Sequence, residues 1–202
     1  MSKLNKLGFF APLFFALFVN NLFASFVIGN SSYLPEKTIE KIEQMGTELH
    51  KKSGVFVYLA IIEDLNGSTI AEIENKISYS LKKPFILLSI AINDKKIDII
   101  NSKELNNRFN KEQILSPWPW SGSILPLLTA KTKDFKANVE AALLNGYADI
   151  VEQVAKSYGV ELESAIGSQN RVVFFFLKII FYGIILLIII KIIYGRFKKN
   201  EK

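Results

Sequence analysis

The chain of 202 residues has no cysteine, a single histidine, His50, and only two tryptophans. Without cysteine there is no disulfide scaffold, no thiolate zinc site, no thiol nucleophile and no cysteine-ligated iron–sulfur centre. The lone histidine falls at the end of an amphipathic pattern beside Lys51 and Lys52, where a surface position is expected, so a serine triad has no base to draw on. Glycine-rich phosphate loops and internal repeats are missing too. A basic surface is the last absence. The formal net charge is +6, yet residues 30–170 hold 16 basic against 18 acidic side chains, a net of −2, so the excess belongs to the two ends. That distribution excludes the electrostatic footprint of a nucleic-acid-binding protein.

What the chain does have is apolar sequence, and it gathers at both ends. Lys3 and Lys6 precede an apolar, phenylalanine-rich stretch from Leu7 to Val19, and Ala24 offers a small residue for cleavage. This predicts a signal peptide over 1–24; Leu22 fits the recognition position poorly, and an uncleaved anchor has the same pattern. Near the other end, "VVFFFLKIIFYGIILLIIIKIIY" runs over 23 residues, 172–194, long enough for a helix to cross a hydrocarbon core of about 30 Å. The tail "GRFKKNEK", 195–202, is basic and belongs on the cytoplasmic side. The sequence therefore predicts a single-pass protein of the inner (cytoplasmic) membrane, with its main domain in the periplasm and its C-terminus in the cytoplasm. Lys178 lies about 9 Å into the span, six steps of about 1.5 Å. It either snorkels to the outer interface or pairs with a carboxylate on a partner's helix.

Between the ends the order of elements can be read. Pro35 and Glu36 open a helix with Ile39, Ile42, Met45 and Leu49 on one face, and Gly54 stops it. "VFVYLAII", 55–62, suits a buried strand; a Thr69-x-x-Glu72 capping box opens a helix over 68–81 with Ile70, Ile73, Ile77 and Leu81 in a stripe. "FILLSIAI", 85–92, reads as a strand covered on both faces, and "NDK" turns it into "KIDII". A long helix from Asp134 to about Tyr158 follows, and 161–171 reads as a tether to the membrane. The expected fold is a single α/β domain over 30–160, a three-layer α/β/α sandwich with a small mixed sheet, plus the C-terminal transmembrane helix.

This succession, from the leading helix through "SGVFVYLAIIEDLNGSTIAEIENKI", "KPFILLSIAINDKKIDII" and "ILPLL" to "FKANVEAALLNGYADIVEQVA", resembles the TPM domain over about residues 33–160. That family includes thylakoid lumenal proteins linked to photosystem repair, a modulator of acetylcholine receptors and many bacterial proteins. The resemblance implies an α/β/α sandwich on the outer side of a membrane. The chain departs from the family where an aspartate usually precedes the first helix and a glycine follows the strand at 96–100; here the neighbourhoods read "GNSSYL" and "INSKEL". A segment holding the heptad "SPWPWSG", 116–122, is inserted before Pro126.

Two candidate sites follow. If the strands at 55–62 and 85–92 are parallel, Glu63, Asp64 and Asn66 approach Asn93 and Asp94 at one edge of the sheet, where Glu63, Asp64 and Asp94 could hold Ca²⁺. The same residue types are what turns and helix caps require, which is the plainer reading. In the heptad, Pro117 and Pro119 fix their own φ and hold Ser116 and Trp118 extended, predicting a stiff, non-helical loop between helices. Trp118 and Trp120 either cover the domain's core or stand exposed as anchors for a partner protein or the bilayer interface.

The expected function is that of a membrane-tethered periplasmic interaction module assisting assembly, repair or modulation of a membrane protein complex, with Trp118, Trp120 and Lys178 as partner-binding residues. The alternatives are a metal-dependent acid phosphatase-like enzyme on the same fold, an activity discussed for some relatives, and a structural envelope protein without a specific ligand.

Overall fold

The computed structural model describes residues 25–131, 134–166, 180–187 and 189–191. Four strands form one sheet in the order β1-β2-β3-β4: Val27–Gly29, Phe56–Ile62, Phe85–Ala91 and Lys96–Asn101. The first three run parallel, and β4 returns antiparallel to β3, so the sheet is mixed. Among the described residues of the domain, the helices beside it are α1 Glu36–Ser53, α2 Ile70–Ser78, α3 Lys111–Ile114, α4 Leu125–Leu128 and α5 Phe135–Ser157.

β2 and β3 are apolar at nearly every position because both faces of the sheet are covered. Their alternation sends Val57, Leu59, Ile61, Ile86, Leu88 and Ile90 into the larger core, shared with Ile42, Met45 and Leu49 of α1 and with the apolar side of α5. The opposite side chains, Phe56, Tyr58, Phe85 and Leu87, join Phe26 and the half-buried Ile77 and Leu81 in a smaller core beneath α2. The expected α/β sandwich is present, with one thick helical layer and one thin layer.

Tyr147 locks the thick layer. It is fully buried on α5, its hydroxyl donates to the Val57 carbonyl at 2.8 Å, and a Cβ at Gly46 of α1 would collide with that hydroxyl. A buried phenol stays only where its O–H finds an acceptor, so this bond fixes α1, α5 and β2 in one arrangement.

Two features differ from the sequence reading, and the expected membrane span falls largely outside the described residues. β1, at 27–29, lies just outside the expected domain limits; its start is capped by Glu43 of α1, whose Oε1 accepts from the Phe26 and Val27 amides at 2.8 and 3.2 Å. The tether expected to begin at 161 is still part of the body: Leu162 and Ala165 are buried. Glu48 of α1 accepts the amides of Glu163 and Ser164, both at 2.8 Å, together with the Ser164 hydroxyl and Lys52 Nζ at 2.7 Å. Finally, no helix among the described residues is long and apolar enough to cross a membrane. Residues 180–187 and 189–191 are helical, with Ile180, Phe181, Tyr182, Ile184, Leu186 and Leu187 exposed. The rest of the 172–194 run, Lys178 included, lies outside the described residues, as do 1–24 and the tail 195–202.

Candidate functional site

The parallel pairing of β2 and β3 brings the loops after them together, as expected: the Asn93 amide donates to the Glu63 carbonyl at 3.1 Å. The carboxylates, however, serve the backbone. Asp94 Oδ2 accepts the Leu65 amide at 2.9 Å, and Asp64 Oδ1 accepts the Asn66 amide at 2.6 Å in a turn where Asn66 takes φ 49°. Glu63 Oε2 instead accepts from the side-chain Nδ2 of Asn30 at 3.5 Å. Glu63, Asp64 and Asp94 are all exposed, and among the described residues no three acidic or histidine side chains form a group that could hold a metal ion.

The heptad loop is built the other way round. It joins α3 to α4, and its two roots, Ile114 and Ile124, are fully buried. The Ser116 and Ser121 hydroxyls meet at 2.7 Å, and the Ser121 and Gly122 amides donate to the Trp118 carbonyl at 3.0 and 2.8 Å. Gly122 passes so close to the Ser116 carbonyl that a Cβ would collide with it. Gln113 Nε2 donates to the Ser121 carbonyl at 2.6 Å, Gln153 Nε2 of α5 donates to Gln113 Oε1 at 2.7 Å, and Ser123 bonds Asp149 of α5. These ties run inward, and the indoles are left outside. Trp118 is 58% and Trp120 79% exposed, and their rings stack with centroids 5.0 Å apart. Of the two fates open to the tryptophans, the structure shows exposure.

Sequence reasoning missed a buried polar cluster. Glu74 of α2 is fully buried, and neither of its carboxylate oxygens has a hydrogen-bond partner; nor does the buried hydroxyl of Ser89 on β3. Ser89 is in register with Asp98 of β4, whose Oδ1 pairs with Lys111 Nζ of α3 at 2.6 Å. Burial, then the Asp98 charge, push the Glu74 carboxyl up to about 7; the nearby Ser89 hydroxyl and the Lys111 ammonium pull weakly the other way. The signal was present: Glu74 stands four residues after Ile70 and three before Ile77, inside the apolar stripe of α2.

His50 is half-buried rather than a surface side chain. It stacks on Phe56 at 3.8 Å, and its Nδ1 has no partner.

With this architecture in view, the comparison with family models is direct: residues 27–116 match the TPM domain. Over this segment the chain is similar to the TPM domain. The match begins at β1 and ends at the start of the tryptophan heptad, so the four-stranded sheet and the first helices are covered while the heptad's indoles lie just beyond. Among solved structures, the N-terminal domain of a P. gingivalis protein, determined by NMR, superposes with a TM-score of 0.51 at 7% identity, over 70% of this chain and 88% of that one, which shows a common fold. The BA42 protein of the psychrophilic bacterium Bizionia argentinensis gives a TM-score of 0.41 at 16% identity, over 68% of this chain and 97% of that one. None of the curated proteins matches the chain.

Proposed function

We propose that the protein is a membrane-tethered interaction module, holding its TPM domain on the periplasmic side of the inner membrane and assisting the assembly, repair or modulation of a membrane protein complex. The observation that carries this reading is the tryptophan loop. Large aromatic side chains left exposed on a loop already held in shape by serine, glutamine and backbone hydrogen bonds are surface prepared for contact, and the preformed loop lowers the ordering cost of binding. The apolar run at 172–194 and the basic tail after it supply the tether and its orientation. Within this reading Lys178 meets either the outer interface or a carboxylate of the partner's span.

The reading is tested by recovering the full chain from membranes in a gentle detergent. A membrane protein that copurifies reproducibly supports it, and a chain that comes out alone overturns it. Orientation is tested separately, by adding protease to spheroplasts: the domain should be degraded, whereas clipping of the lysine-rich tail alone would reverse the topology.

A further inference from the structure

We propose that Trp118 and Trp120 are a lipid anchor: the stacked indoles enter the headgroup region of the bilayer that the 172–194 run crosses and seat the TPM domain on the membrane surface. This rests on the tethered reading above and deepens it by naming what the loop touches.

The geometry of the loop and the length of the chain lead there together. A groove of about 530 Å³ beside the loop is lined by Pro119, Gly122, Pro126, Leu127 and also Ile166, so the tryptophan loop lies next to Ile166. Only five residues, six steps along the chain, separate Ile166 from Val172, where the apolar run begins. At about 3.3–3.6 Å each, the six steps reach no further than about 22 Å. The end of the domain that carries the loop is therefore held close to the membrane, and the bilayer becomes a neighbour at high effective concentration whatever else is bound.

The exposed chemistry suits that neighbour. An indole has an apolar body and one N–H, which is why tryptophan gathers at the headgroup level of membranes. The loop's backbone can approach lipid because its groups at Ser121 and Gly122 already donate to the Trp118 carbonyl, and the Ser116 and Ser121 hydroxyls satisfy each other. Pro117 and Pro119 add no N–H that would need an acceptor there.

The chain supplies its own probe, because these are its only two tryptophans and their emission reads the loop alone. The full chain is reconstituted into phosphatidylethanolamine–phosphatidylglycerol vesicles, with or without bromine on the upper acyl chain. The anchor predicts at least about a twofold loss of tryptophan emission in brominated vesicles, together with weak quenching by aqueous iodide. The single variants Trp118→Phe and Trp120→Phe show how the two rings share it. Full emission beside brominated lipid, with iodide still quenching, overturns the anchor and assigns the loop to a protein contact, leaving the tether standing. Flotation after a carbonate wash decides the tether itself: a chain that leaves the vesicles overturns the tether and the anchor with it.

Discussion

The loop after β2 and the loop between α3 and α4 are both closed by hydrogen bonds, but their side chains divide the work differently. At the acidic edge the conspicuous residues do the tying: Asp64 and Asp94 each give a carboxylate oxygen to a backbone amide. In the tryptophan loop the inconspicuous residues do it, Ser116, Ser121, Gln113 and Gly122, and the conspicuous ones are left facing solvent. Residue type alone ranks the acidic edge as the better site. What distinguishes the loops is what remains after the fold has been satisfied.

The contrast can be broken at its root. Ile114 and Ile124 hold the tryptophan loop in the core, so Ile124→Ala should cost about 2–5 kcal/mol by chemical denaturation. A loss below about 1 kcal/mol would mean that the loop is not anchored as described.

The same difference between satisfied and unsatisfied groups separates two glutamates. Glu74, raised to about 7 from 4.5 by burial and by Asp98, binds a proton more tightly in the folded chain than in the unfolded one. Its contribution to stability is whole below about pH 4.5 and is lost as the pH climbs to 7, by up to about 3 kcal/mol. Wild type minus Glu74→Gln, followed by urea unfolding across that window, should show this decline, and parallel curves would contradict it. Glu48 behaves in the opposite sense. Partial burial raises its pKa, but the bonds from Lys52, Ser164 and the Glu163 and Ser164 amides outweigh burial and hold it at about 2. Its stabilisation is complete above about pH 4.5 and is lost as the pH falls toward 2. Because the carboxylate is partly solvated, Glu48→Gln should cost only about 1–2 kcal/mol at neutral pH. It should also free the 161–166 segment to protease; a segment that stays protected would show that Leu162 and Ala165 suffice to hold it.

Much of this fold was legible because periodicity reports burial. The stripe Ile42, Met45, Leu49 and the unbroken apolar runs of β2 and β3 fixed three elements and the layers between them. β1 was hidden because three residues after a long apolar stretch carry no alternation of their own, and its pairing with β2 is entirely tertiary. Glu74 was hidden because charge is ordinarily a sign of exposure, although its place in the α2 stripe pointed inward. The edge site was read correctly as a meeting of two loops, but no residue pattern tells whether a carboxylate will face a ligand or a backbone amide. The tryptophans' exposure likewise depended on the serine and glutamine ties, which are unremarkable as sequence.

Smaller effects follow at the edge. With Asp64 and Asp94 committed to amides, added calcium should leave the melting midpoint within about 1 °C; binding at a hundred times its dissociation constant would instead add about 2.7 kcal/mol. A clear calcium-dependent rise would return Glu63, Asp64 and Asp94 to the role of a metal site.

The central claim is that the indoles of Trp118 and Trp120 are surface the fold does not need, and a thermal melt of the double variant Trp118→Ala, Trp120→Ala beside the wild-type chain tests it most directly. The account predicts the same midpoint, a difference within about 0.5 kcal/mol, as for exposed positions generally. A loss of about 3–5 kcal/mol, the cost of truncating a buried tryptophan, would contradict it and make the loop a lid on the core.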